Sequence, residues 1–149
     1  MAQGLEFDLK EVVLSNSTFG PVEIDQIAGT INGDHTQFSV LRDAVAELEV
    51  REGRTPASAV RLGVCYYMLG RYRTAVDTLR NADGGAVAHF YIARGMIETE
   101  DYDEAVAGFE SARKGGYNGD HCTLGIVEAH RKAGRTEDAM KALDQLYGA

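Results

Sequence analysis

The chain has 149 residues, 44% hydrophobic and 26% charged, the make-up of one globular domain with enough material for a connected core. Its net charge of -8 repels phosphate backbones, which excludes nucleic acid and anionic membranes as natural partners. No apolar run approaches the roughly twenty residues that span a bilayer, so no membrane segment is predicted.

The charge is uneven. Residues 1–53 hold ten acids against three bases, and residues 54–149 hold thirteen against twelve. The opening MAQGLEFDLKE carries acids early and lacks a basic start with an apolar stretch, which predicts no signal peptide here, and either a cytoplasmic location or a chain trimmed of its targeting parts. Cys65 and Cys122 stand alone, without a CxxC pair or a cysteine framework, and are expected as two reduced thiols rather than a disulfide.

Residues 5–14 fit two patterns. Leu5, Phe7 and Leu9 alternate as in a strand, while Leu5, Leu9, Val12 and Val13 fit a helix face. The run SNSTFG then reads as a turn or linker, setting residues 1–20 apart as a segment that is either a flexible tail or a docking element. Pro21 can open a helix, and Ile24, Ile27, Ala28 and Ile31 make one helical stripe. Asn32-Gly33 is a stop, and Asp34 with Gln37 has the spacing of a capping box. Phe38, Leu41, Val45 and Leu48 line one face of the following helix, which Gly53 ends before Pro56 opens the next.

From Pro56 the pattern becomes regular. Ala75/Leu79/Ala82, Ala105/Phe109/Ala112 and Ala139/Leu143/Leu146 share one spacing, each in the second half of a unit. Ala75 to Ala105 is thirty residues and Ala105 to Ala139 is thirty-four, so one helical turn is missing from the helix that ends near Asn81. Asp83-Gly84-Gly85 and Lys114-Gly115-Gly116 break the helices between units. A helical hairpin this short cannot bury its own apolar face, so such units stack. The predicted fold is an all-α solenoid of antiparallel helical hairpins over residues 21–149. Repeats are expected at about 55–83, 85–114 and 119–148, with a divergent leading hairpin at 21–53.

RLGVCYYMLGRYRTAVDTL and IARGMIETEDYDEAVAGFESA carry Leu-Gly or a small equivalent, an aromatic or Met, a turn, then Ala and a large apolar residue. AGRTEDAMKAL keeps the turn and second helix, with His130 at the aromatic position. These segments resemble the tetratricopeptide repeat. The spacing is steric. Ala75, Ala105 and Ala139 should lie where helices approach closely, with Gly63 and Ala93 playing the same part on the first helices. Leu79, Phe109 and Leu143 should fill the space one turn on.

No catalytic pattern stands out: there is no GxSxG, HExxH, Walker loop or dinucleotide fingerprint. The Gly-Gly pairs at 84–85 and 115–116 follow no strand and lack the Lys-Ser/Thr of a phosphate loop, so they read as linkers. Asp120-His121-Cys122 resembles a fragment of a metal site, but a closed zinc site needs about four ligands and none is near in sequence. A helix start capped by Asp120 or Asn118 is the simpler reading. His89 and His130 fall on helix faces that should pack, so hydrogen-bonded packing is expected of them rather than acid–base chemistry. No cofactor, metal or enzymatic activity is predicted.

The resemblance implies that the first helix of each hairpin lines an inner groove. The residues left over once the core is assigned are Val60, Val64, Tyr67 and Met68 in the first unit. The second offers Phe90, Arg94, Ile97 and Glu98, and the third Leu124, Glu128, Arg131 and Lys132. Some members of the family clamp a C-terminal carboxylate with basic residues and an Asn here. Val60 and Val64 occupy those positions, so no such clamp is expected. The reading is a non-enzymatic scaffold binding a peptide or protein segment in the groove. The alternative is a self-assembly module: the residues up to Leu146-Tyr147-Gly148-Ala149 include no polar capping helix, so either more repeats follow or that end is expected to meet another copy. The apolar, acidic stretch 5–14 is a candidate internal or swapped occupant, its acids facing Arg94, Arg131 and Lys132.

Overall fold

The computed structural model describes residues 7–15, 19–51 and 55–147. Among them lie α1 (Leu9–Leu14), α2 (Pro21–Gly33), α3 (Thr36–Val50), α4 (Pro56–Met68), α5 (Tyr72–Arg80), α6 (Ala86–Glu98), α7 (Tyr102–Lys114), α8 (Gly119–Lys132) and α9 (Thr136–Tyr147). No strand occurs among the described residues. From α4 onward each helix packs on its chain neighbours, making three stacked hairpins α4/α5, α6/α7 and α8/α9. The all-α solenoid read from the sequence is the fold observed.

One turn closes all three hairpins. Arg71 N–H donates to the Tyr66 carbonyl at 2.9 Å, Asp101 N–H to Met96 at 2.8 Å and Arg135 N–H to His130 at 2.8 Å. The residue before each donor is left-handed: Gly70 at φ 81°, Glu100 at φ 66° and Gly134 at φ 80°. This is the six-to-one bond of a Schellman cap, which satisfies carbonyls that the helix end leaves open. The repeat is therefore visible in backbone bonds as well as in sequence. The four-residue shortfall is visible too: α5 has 9 residues where α7 has 13.

The predicted contact alanines sit in the core. Ala75, Ala93 and Ala105 are fully buried, and Phe109 fills the space between hairpins. A Cβ on Gly108 would come within 2.9 Å of the Ala93 methyl, so α6 and α7 approach as closely as side chains allow. Gly125 packs directly on the Phe109 ring, and Gly63 faces Leu79. Ala82 lies beyond the end of α5, and Leu143 and Leu146 are only half-buried on α9, where Ala142 is buried instead.

The first three helices depart from the expected leading hairpin. Residues 9–14 are helical, and Leu9 and Val13 are buried in one cluster with Ile27, Leu41, Val45, Leu62 and Cys65. Helix α3 packs chiefly on α1, and its contact with α2 is sparse. Asp34 and Gln37 do not form a capping box. The Asp34 carboxylate instead accepts from Thr36 N–H at 3.0 Å and from the Thr36 hydroxyl at 2.7 Å, since those donors lie nearer than the start of a regular first turn. Phe38 is 42% exposed rather than packed, because α3 turns Leu41, Ala44, Val45 and Leu48 toward α1 and α4. Gly53 lies outside the described residues.

Two arginines hold α1 in place. Arg61 Nη1 donates to the Val12 carbonyl at 2.6 Å and to Val13 at 3.3 Å, and Arg51 Nη1 donates to the Leu14 carbonyl at 2.8 Å. Cations at open carbonyls of a helix C-terminus are favourable. The Arg61 guanidinium also lies over the Phe19 ring, 4.8 Å from its centroid. Among the described residues, this segment makes no ion pair with Arg94, Arg131 or Lys132, and Glu6 lies outside them. Its helix end finds donors on α3 and α4 instead.

Candidate inner-face cleft

The inner face is formed by the first helices α4, α6 and α8. A cleft of about 310 Å3 opens there, walled by Tyr67 of α4, by Phe90, Tyr91 and Arg94 of α6, and by His121, Leu124, Gly125 and Glu128 of α8. The three elements present these side chains because residues three and four apart share a helix face. On α8, His121, Leu124, Gly125 and Glu128 follow that spacing.

Aromatic packing stiffens one wall. Tyr67 meets Tyr91 edge-on at 5.4 Å, Phe90 meets Tyr91 edge-on at 5.1 Å, and Phe90 stacks on Tyr117 at 4.1 Å. Burial, followed by the neighbouring Tyr117, holds the Tyr91 phenol well above its ordinary value. It therefore stays neutral across the physiological range. The rest of the lining is largely ionic. Arg94 Nε donates to the Tyr67 hydroxyl at 3.2 Å, and Arg94 Nη1 meets the Glu128 carboxylate at 3.4 Å. Lys132 bridges Glu128 at 3.5 Å and Glu98 at 4.0 Å. Burial pulls the Arg94 guanidinium down, but Tyr67 and Glu128 outweigh it and hold the cation above the ordinary arginine value. The cleft thus offers an aromatic wall, the apolar Leu124 at 47% exposure, and a row of alternating charges.

Of the groove residues read from the sequence, Tyr67, Phe90, Arg94, Leu124 and Glu128 come together at this cleft. Glu98 and Lys132 extend its ionic wall, Arg131 is exposed on α8, and Met68 is half-buried on α4. Val60, Val64 and Ile97 are not open surface. Val64 is fully buried with Val60, Leu79 and Ala88 in a cluster that Ile24 of α2 completes, and Ile97 is buried beside Met96 in the core of the repeats. Tyr91, His121 and Gly125 were missed by the sequence reading of the groove, although Tyr91 and His121 each lie three positions before a residue it identified, Arg94 and Leu124.

Asn118 caps α8, its side chain accepting from His121 N–H at 3.0 Å, as one of the two expected caps. Cys65 and Cys122 are free and buried. His130 Nδ1 accepts from Arg135 Nε at 3.1 Å, a packing role, and His89 is half-buried on α6. Among the described residues, no three His, Cys, Asp or Glu side chains gather as a metal site. No helix among them is long and apolar enough to cross a membrane.

Residues 57–82 match the tetratricopeptide repeat family, a stretch that covers most of α4, the Schellman turn and α5. No curated protein matches the sequence. The match supports the tetratricopeptide repeat for the first hairpin, and the two hairpins that follow repeat its turn and its buried small residues.

Proposed function

We propose that this chain is a non-enzymatic scaffold that holds a segment of a partner protein against the inner face of α4, α6 and α8. The family suggests protein–protein interaction. The observation that carries the finer reading is the cleft itself, where exposed Leu124 faces an aromatic wall beside the Arg94–Glu128 pair. An apolar anchor would enter against Leu124 and Tyr91, and the charges would orient the backbone and flanking residues. Specificity would follow from the ionic row, because a wrongly signed neighbour would leave Arg94 or Glu128 facing a like charge.

The test is selection of a random peptide library displayed on phage against the folded chain, followed by titration of an enriched peptide. Leu124→Glu should weaken that peptide at least tenfold while the helical spectrum is kept. Failure to enrich any sequence, or an affinity indifferent to Leu124→Glu and Glu128→Lys, would remove the reading. Association between copies is the second reading, favoured by Met140 at 63% and Tyr147 at 80% exposure on α9. Light scattering across concentration separates the two.

A further inference from the structure

Helix α2 meets α3 sparsely, through Ile27, which is buried with Leu41 and Val45. Ile24, 1% exposed, packs in one cluster with Val60 and Val64 of α4 and Ala88 of α6. Val60 and Val64 lie on the face of α4 that also carries Tyr67. The next residue, Asp25, is near enough that its charge raises the phenols of Tyr91 and Tyr117, after burial and their closer neighbours. The Ile24 side chain thus lies against the inner face of α4, with the exposed Asp25 next to it in the chain. That is how a bound segment would lie.

The helix is also poorly suited to stand on its own. Its 13 residues include five β-branched side chains and two glycines. Gly29 is exposed, and a Cβ there would meet nothing within 4 Å, so packing does not require the glycine. Contacts of α2 with α1 and α3 are sparse beside those joining α6 to α7. Few contacts and low intrinsic propensity mark the elements that open first.

We infer that α2 is a built-in occupant of the groove, a detachable cover over Val60, Val64 and Ala88. The partner that replaces it carries the same chemistry: a β-branched apolar anchor followed directly by an acid. This rests on the reading that the inner face binds a segment, and it adds that the Val60–Val64 end of that face is closed at rest. Opening α2 would add Val60 and Val64 to the groove surface, and a ligand that prefers the open state would be favoured by whatever weakens the cover.

The probe is a fluorescent synthetic peptide of residues 19–34, titrated into the full chain by polarisation. Ile24→Ser, which loosens the cover, should bind it at least tenfold more tightly than the unaltered chain. Gly29→Ala, which strengthens the cover by about one glycine-to-alanine helix increment, should bind it about fivefold more weakly. Placing the second substitution at an exposed site keeps the test valid should Ile24→Ser fail to fold. A peptide carrying Asp25→Lys should bind the Ile24→Ser chain more weakly than the native peptide. Equal affinity for the unaltered and Gly29→Ala chains, or no binding to any of them, would overturn the inference. Were library-selected peptides still to bind at Leu124 in that case, the cleft reading would stand and only the cover would fall.

Discussion

From Thr55 onward each hairpin is closed by the same local turn, a left-handed residue and a bond spanning five positions. In residues 7–51 the helices are instead joined by arginines whose carbonyl partners are 37 and 49 residues away in sequence. Both regions bury apolar stripes, but the repeats carry their instructions within one unit, and the N-terminal helices depend on contacts made only once the repeats exist. The repeats should therefore tolerate loss of α1 and α2, while α1 and α2 should not outlast damage to α4.

The largest expected effect breaks the repeat side. Phe109 is fully buried, edge-on to Phe90 at 5.4 Å and covered by Gly125. Phe109→Ala should cost about 3–5 kcal/mol in urea unfolding and carry the whole chain with it. Ala105→Leu should cost about 1–3 kcal/mol by overpacking α7 against its neighbours. An unchanged midpoint for either would contradict the hairpin packing.

The second effect sharpens the contrast. Arg61 is 6% exposed and serves carbonyls of α1. Arg61→Leu should cost about 1.5–3 kcal/mol, since charged donors are lost from buried acceptors. Amide exchange should quicken in α1 while α6 to α9 stay protected. Uniform quickening would mean that the two regions are not separable.

How much was legible follows from these residues. Ala105, Phe109 and the short α5 could be read because each repeats a spacing. The docking of α1 could not, because no local pattern links Arg61 to a carbonyl 49 positions away. Val60 and Val64 were read as groove for the same reason: the helix face was right, but the segment that covers it lies over thirty residues earlier in the sequence. Reading Tyr67, Arg94, Leu124 and Glu128 onto one face needed helical periodicity together with the family resemblance, and the structure places them around one cleft.

Smaller effects test the turns and the core chemistry. Glu100 holds φ 66° where the other two hairpins have glycine. Glu100→Gly should raise stability by up to about 1 kcal/mol, because a left-handed conformation costs a side-chain-bearing residue roughly that much. Burial pushes the Cys65 thiol up from 9.0 to about 12. The unfolded chain would then lose that proton first, so stability should be constant below about pH 9 and fall as pH rises toward 12. Cys65→Ala should flatten part of that fall. In the folded chain at pH 8 both thiols should react slowly with a disulfide reagent, and intact mass should show neither joined.

The claim that matters most is that the inner face of the first helices is the binding surface. Amide chemical shifts of the labelled chain, followed as a library-selected peptide is added, test it residue by residue. The expected result is that shifts concentrate on Tyr67, Tyr91, Arg94, Leu124 and Glu128 and their neighbours on α4, α6 and α8. Shifts confined to α9 around Met140 and Tyr147, or to the outward faces of α5 and α7, would contradict it.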